Sequence, residues 1–297
     1  MHSRGFAILA LFLVQLLYGL NYTFAKVIMN GSFVKPFALT LLRVGGAAVL
    51  FWLFSLVMPS EKIERKDYLR FLVAAIFGVF INMLLFLKGV ELTTPIHAAS
   101  IVTITPVIIL ILSALILNEK ITALKVFGVV LAFSGAIVLT FYGKSLRAGD
   151  NVFLGNVLVF INAISYSIYI ILIKQLTTKY HPFTFIKWLF LFGFVMVLPF
   201  GYNELQNIEW SSFTPFISFS VIFVVVGATF GTYLLNPMAL KKLKASTVGV
   251  FIYLQPVLAG LFAIIMGEDA IDTVKIIAMA LIFSGVYLVS IKPKKSI

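Results

Sequence analysis

Ten apolar stretches of roughly membrane-span length follow one another along the chain, with only short polar connections between them. They run over 6–28, 36–57, 69–88, 96–117, 124–142, 153–173, 184–201, 214–235, 246–266 and 274–291. Crossing a bilayer takes about 20 mostly apolar residues, and a helix is the only single segment that satisfies its own backbone there. The expected fold class is therefore all-α and integral to a membrane. Composition agrees: of 297 residues, 61% are apolar and 11% charged, against roughly half and a quarter in soluble proteins. Met1–Asn30 reads as the first span. Its apolar run is too long for the core of a signal peptide, and no small-x-small cleavage pattern follows it.

Charge then orients the spans. With both termini inside, Arg4, Lys62, Arg65, Lys66, Arg70, Lys120, Lys125, Lys174, Lys179, Lys187, Lys241, Lys242, Lys244, Lys292, Lys294 and Lys295 fall on the inner side. Lys26, Lys35, Arg43, Lys88, Lys144, Arg147 and Lys275 fall in the outer half, where Glu204, Glu209, Glu268, Asp269 and Asp272 also lie. Basic residues favour the cytoplasmic side, so both ends are expected there, in a bacterial inner membrane. The net charge of +12 thus reports topology rather than nucleic-acid binding. Cysteine is absent, which removes disulfides, thiol catalysis and cysteine metal sites.

The chain also repeats itself. The segment Gly89–Glu119 recurs as Ala239–Glu268, each an apolar stretch with proline near its middle and a closing glutamate. Pro106 and Pro256 are 150 residues apart, and Phe133-Ser134-Gly135 and Phe283-Ser284-Gly285 keep that register. Tyr18 and Tyr166, and Lys26 and Lys174, pair at 148, and Pro36-Phe37 and Pro182-Phe183 at 146. Residues 1–143 and 152–291 therefore read as two five-span repeats, followed by a basic cytoplasmic tail at 292–297. An odd number of spans forces the second repeat to enter the membrane from the opposite side. Inverted repeats recur in secondary transporters, whose halves exchange conformations around a central site near the bilayer midplane.

At this point the chain resembles the ten-helix EamA-type permeases of the drug/metabolite transporter superfamily. The residues that carry the likeness are Tyr18-Gly19-Leu20-Asn21 through Lys26, Arg43, and the Gly89–Glu119 and Ala239–Glu268 segments. It departs from the family pattern at Tyr18 for Trp, at Gly89-Val90 for Ala-Leu and at Asn118 for Gly. The resemblance implies export or exchange of small metabolites such as amino acids, with drugs, sugars and nucleotide sugars handled by relatives. It also links the small-residue ladders (Gly128, Ala132 and Ala136; Gly227 and Gly231; Ser134-Gly135; Ser284-Gly285) to dimer contacts, so a homodimer is the candidate protein partner. Such ladders otherwise serve close helix packing.

Candidate functional residues each carry a structural alternative. Pro106 and Pro256 deprive the carbonyls of Val102 and Ile252 of their helical donors, which makes them hinges bordering a cavity or static kinks. Arg43 is the deepest charge, about four residues (~6 Å) from the centre of its span. A membrane arginine faces a cavity or a partner, so Arg43 either binds a substrate carboxylate or ties helices. Lys26 is a second cationic candidate, whereas its counterpart Lys174 reads as a snorkelling end. Glu119 and Glu268 are gates or structural helix ends. No carboxylate is expected at mid-membrane, and His97 is a lone histidine near a span, so a buried acidic proton relay is not expected. The cavity candidates are Asn21, Tyr22, Asn82, Ser100, Thr103, Asn162, Ser165, Tyr166, Tyr169, Tyr233, Tyr253 and Gln255. Among them Asn162, Ser165, Tyr166 and Tyr169 recur at helical spacing along one face.

The expected function is a secondary transporter that moves small organic metabolites, amino acids or related amphipathic compounds, by alternating access and in the direction of export. Facilitated diffusion or exchange is the expected energetics. The partners are a small-molecule substrate and the lipid bilayer, and no cofactor, metal or catalytic residue is expected. A membrane enzyme would need a catalytic pair or metal cluster within the spans, and a channel would need a charged ring or filter motif. The alternatives are a transporter of drugs, sugars or nucleotide sugars, and a lipid scramblase, which too would carry a polar groove.

Overall fold

A computed structural model describes residues 4–58, 61–93, 98, 101–141, 152–265 and 272–291. Every regular element in it is helical. The helices are α1 (Arg4–Asn30), α2 (Pro36–Ser55), α3 (Arg65–Leu92), α4 (Thr105–Leu117), α5 (Ala123–Phe141), α6 (Val152–Lys179), α7 (Pro182–Gln206), α8 (Pro215–Leu240), α9 and α10 (Thr273–Ser290). Helix α9 has three consecutive pieces: Ala245–Val250, a 3-10 turn over Phe251–Tyr253, and Leu254–Ile265. Among the described residues, nine of the ten are long and apolar enough to cross a membrane, and α4 is the shorter one. Outward-facing side chains are apolar where a soluble protein would be polar, with Leu115 73% and Phe153 82% exposed. Such a surface requires lipid around it.

Packing follows the repeat. Helix α2 lies on α7, α5 on α10 and α4 on α9; α3 and α4 pack on α6, while α8 and α9 pack on α1. Exchanging each helix with the one five places away returns the same set of contacts, as two interlocked equivalent halves require. The interruptions recur as well. Helix α3 widens into a π segment over Ile76–Ile81 and α8 into one over Phe223–Gly231, ending 150 residues apart.

The Pro106 segment corrects the expectation of a kinked but continuous helix. Ile101 and Val102 are helical, Thr103 and Ile104 form a turn, and α4 restarts at Thr105 with Pro106 in its first turn. In α9, Pro256 lies just past the 3-10 turn. Proline is well suited to a first helical turn, where its missing N–H has no partner to lose. The span at Pro106 is thus interrupted by a turn, whereas the span at Pro256 stays helical and tightens through its 3-10 turn.

Carboxylates stitch the halves together by capping one another's helices. Glu204, near the end of α7, accepts from the N–H groups of Phe37 and Ala38 at the start of α2, at 2.9 and 3.0 Å. Glu61, beyond the end of α2, accepts reciprocally from the His181 N–H at 2.8 Å and the Thr184 hydroxyl at the start of α7. Glu119, beyond α4, accepts from the Ala245 N–H at 2.7 Å and the Ser246 hydroxyl at 2.6 Å at the start of α9. Helix N-termini present unpaired N–H groups and a partial positive charge, so each carboxylate satisfies donors that lipid cannot. Glu119 arrives there because Asn118 is left-handed, with φ 52°, and the Glu119 N–H closes back onto the Ser113 carbonyl at 3.0 Å. Asparagine is the usual alternative to glycine in such a helix ending. Buried Lys125 backs the junction, 2.7 Å from the Ser246 hydroxyl and 3.6 Å from Glu119. Glu119 is accordingly a helix-end tie; Glu268 lies outside the described residues.

The glycines of the small-residue ladders pack within the chain, whereas Ser134 and Ser284 are exposed. A Cβ on Gly128 of α5 would lie 2.9 Å from the Gly285 carbonyl oxygen of α10, and one on Gly135 would lie 2.6 Å from that of Ala278. Gly227 and Gly231 of α8 face Leu17 of α1.

Two outcomes follow for stability in detergent, measured by thermal unfolding. Asn118→Gly should be neutral or stabilising, while Asn118→Ala should cost about 1 kcal/mol for its left-handed backbone. Gly128→Ala should cost about 1–3 kcal/mol, because the α5–α10 backbones must separate to admit the methyl group.

Candidate functional site

A cavity of about 90 Å³ opens where the two halves meet. Its lining comes from seven helices: Tyr18 and Asn21 of α1, Arg43 of α2, Asn82, Met83 and Phe86 of α3, Val102 and Thr105 at the break before α4, Asn162 and Tyr166 of α6, Tyr233 of α8, and Ile252 and Gln255 of α9. Four pairs are repeat counterparts: Tyr18 with Tyr166, Met83 with Tyr233, Val102 with Ile252, and Thr105 with Gln255, the first 148 and the others 150 residues apart. Matching positions of both repeats therefore face one cavity. It lies toward the end of the bundle that carries the 31–35 and 207–214 connections. At the other end, Glu119 ties α4 to α9, and Ile109 packs against Gly249.

The broken and widened helices supply the polar groups. Helix α3 loses regular α hydrogen bonding in its π segment, and neighbouring side chains meet its carbonyls. Ser165 donates to the Phe77 carbonyl at 2.6 Å, Tyr233 to that of Gly78 at 2.5 Å, and the Asn162 amide to that of Asn82 at 2.8 Å. The Tyr233 hydroxyl also lies 3.5 Å from Asn82 Oδ1. Tyr166, Tyr169 and Tyr233 form an aromatic floor, with Tyr169 5.9 Å from Tyr166 and 5.5 Å from Tyr233 between ring centroids. Asn236 donates to the Tyr166 hydroxyl at 3.1 Å beneath it. Gln255 donates to Gln15 of α1 at 2.8 Å.

Among the described residues, one charge lines this cavity. Arg43 is 4% exposed, and its Nε donates to Thr229 Oγ1 at 2.9 Å. Among the described residues it has no carboxylate partner, the nearest ion pairs being confined to the bundle ends. Asn21 is also buried, and its Oδ1 accepts from no donor among the described residues. A buried cation with one hydrogen bond and a buried acceptor with none are both costly in a low-dielectric interior. Together they form a site with one positive group and one free acceptor, walled by tyrosine faces and by Met83, Phe86, Val102 and Ile252. It can orient a small solute bearing a negative group; it offers no general acid, base or metal-ligand cluster among the described residues.

The candidates read from sequence divide accordingly. Asn21, Arg43, Asn82, Asn162, Tyr166, Tyr233 and Gln255 line the cavity. Ser165 instead satisfies the Phe77 carbonyl, and Tyr169 packs against Gly78 in the floor. Half of the proposed α6 stripe thus faces protein. Tyr253 is buried 6.4 Å from Phe133, between ring centroids, and Thr103 is buried in the turn before α4. Lys174 does not snorkel: it donates to the Leu240 and Leu243 carbonyls, at 2.5 and 2.9 Å, and so closes the end of α8. Ser100 and His97, like the side chains of Tyr22 and Lys26, lie outside the described residues. Tyr18, Gln15, Thr105 and Thr229 were missed as functional candidates. Only the repeat register could have pointed to Tyr18 and Thr105, as counterparts of Tyr166 and Gln255.

The comparisons with known proteins agree with this architecture. The chain is 28% identical over 273 residues to an uncharacterized transporter of Archaeoglobus fulgidus, covering 92% of this chain and 94% of the relative. It is 26% identical over 257 residues to the uncharacterized transporter YetK of Bacillus subtilis, covering 85% and 77%. A solved structure titled only as the crystal structure of a protein superposes with a TM-score of 0.79 at 19% identity, covering 97% of this chain and 99% of the other; it speaks to the fold alone. The model of the EamA-like transporter family matches twice, over residues 5–141 and 153–291. The chain belongs to the EamA-like transporter family and is a multi-pass membrane transporter rather than an enzyme.

Proposed function

We propose that this transporter carries amino acids or closely related amphipathic carboxylates across the cytoplasmic membrane, in the direction of export. One observation carries the reading: a buried, carboxylate-free arginine shares a small cavity with an unpartnered amide oxygen. The guanidinium pairs with a substrate carboxylate through charge-assisted hydrogen bonds. Asn21 Oδ1 accepts from its ammonium group, which the tyrosine faces also favour. The apolar wall receives the side chain.

Transport follows from the doubled architecture. The 1–143 and 152–291 repeats exchange conformations, so that the cavity both line opens to one side and then the other. The irregular spans at Pro106 and Pro256 act as the hinges, since neither keeps regular α-helical bonding throughout. With both termini cytoplasmic, the cavity lies in the outer half of the bundle, and the Glu119 junction closes the inner side. The one charged group among the described lining residues is permanently cationic, which favours exchange or facilitated diffusion over proton coupling at the cavity itself.

Counterflow into proteoliposomes preloaded with an amino-acid panel tests this reading. Uptake of at least one member should survive collapse of an imposed pH gradient, and Arg43→Gln should lower its kcat/KM at least tenfold, as loss of a hydrogen bond to a charge implies. Absence of counterflow for every amino acid would refute the substrate class and turn attention to sugars, drugs or lipids. Orientation has its own measurement, because the native chain has no cysteine. In intact cells an impermeant maleimide should label Ser212→Cys and spare Lys62→Cys until the membrane is opened.

A further inference from the structure

The π segment of α8 sits beside the only charge among the described residues of the cavity lining. Thr229 lies within that segment and is fully buried. Its hydroxyl donates to the Val224 carbonyl at 2.7 Å and accepts from Arg43 Nε at 2.9 Å. A helical serine or threonine ordinarily bonds back three or four residues, as Thr40, Thr140, Ser167, Ser220 and Thr232 do here. Thr229 reaches back five. The widened turn accounts for this, because it carries the i−5 carbonyl to the position that i−4 holds in a regular helix.

This geometry fixes the direction of the hydroxyl. A threonine has one proton and two lone pairs; with the proton committed to Val224, a lone pair is held toward Arg43. The guanidinium is planar with a fixed fork of donors. Anchoring Nε therefore sets the plane in which the two terminal nitrogens point. Among the described residues the other half has no such pair. In the repeat register Val79 stands where Thr229 does, 150 residues earlier, and Leu189 stands where Arg43 does, 146 residues later. Helix α7 packs against the π segment of α3 there, without a charge to orient.

We infer that Thr229 is a positioning residue for substrate recognition: through the π segment of α8 it aligns the Arg43 guanidinium with the carboxylate of the transported solute. The inference rests on the reading of Arg43 as the carboxylate-binding group. It predicts a defect specific to carboxylates, which a general packing role for Thr229 would not produce.

The test is proteoliposome transport of L-alanine, L-leucine and L-phenylalanine, with each acid competed by itself and by its amide. The variants are Thr229→Val, Thr229→Ser and Arg43→Gln. Thr229→Val keeps the shape of the side chain and removes the hydroxyl. It should raise the KM for the acids about tenfold with a much smaller change in kcat, and should narrow the preference for acid over amide. Thr229→Ser restores both hydrogen bonds and should return KM to within about twofold of the parent value. If Thr229→Val fails to fold, the serine variant and Thr229→Ala carry the same comparison. A carboxylate-selective effect in Arg43→Gln but none in Thr229→Val or Thr229→Ala would overturn the positioning role and leave the arginine reading standing. Equal loss for acid and amide in the Thr229 variants would likewise reduce Thr229 to packing. Unchanged transport in Arg43→Gln, or no transport of any acid by the parent protein, would overturn the arginine reading and this inference with it.

Discussion

Every backbone polar group inside a bilayer must find a partner within the protein, because lipid offers none. Much of this structure is the consequence of breaking helices under that rule. Each interruption frees carbonyls or N–H groups, and a named side chain meets them. Ser165, Tyr233 and Asn162 answer carbonyls of Phe77, Gly78 and Asn82 in α3; Thr229 answers Val224 in α8. Lys174 closes the end of α8, and Glu61, Glu119 and Glu204 close the starts of α7, α9 and α2. The same exchange that stabilises the bundle ties one repeat to the other, since the bonds of Ser165, Tyr233, Asn162, Glu61, Glu119 and Glu204 cross between halves, while those of Thr229 and Lys174 stay within the second.

Symmetry and its violation divide the labour. The frame is shared: reciprocal carboxylate caps on α2 and α7, π segments in α3 and α8, a turn before Pro106 and a 3-10 turn before Pro256. The chemistry is not shared. Arg43, Asn21 and Asn162 have Leu189, Tyr169 and Val14 at the equivalent positions of the repeat. The frame therefore repeats while the polar lining of the cavity does not.

Much of the fold was legible in the sequence because hydrophobic length and repeat register are properties of the chain itself. Ten spans, all-helical architecture and family membership followed from apolar runs of sufficient length and from the matched Gly89–Glu119 and Ala239–Glu268 segments. Seven of the proposed polar candidates reach the cavity, Arg43 and Asn21 among them, since a polar residue in mid-span has few other places to go. The form of the helix irregularities was not legible: proline reports that a donor is missing, not whether the chain turns before it, as at Thr103 and Ile104, or tightens into a 3-10 turn, as at Phe251–Tyr253. Lys174 was misread because a lysine near a span end looks the same in sequence whether it reaches for water or for a carbonyl.

What the sequence by itself determined is the solvent, the number of helices and the doubling, each set by local composition and spacing. Only the tertiary structure decided which face of each helix turns inward. That separated Asn162 and Tyr166 from Ser165 and Tyr169 on a single helix, and it brought Thr229 to Arg43 across 186 residues of chain. The physical reason is that a hydrogen bond between distant segments depends on the crossing of two helices and on a widened turn within one of them. Neither leaves a periodicity in the sequence to read.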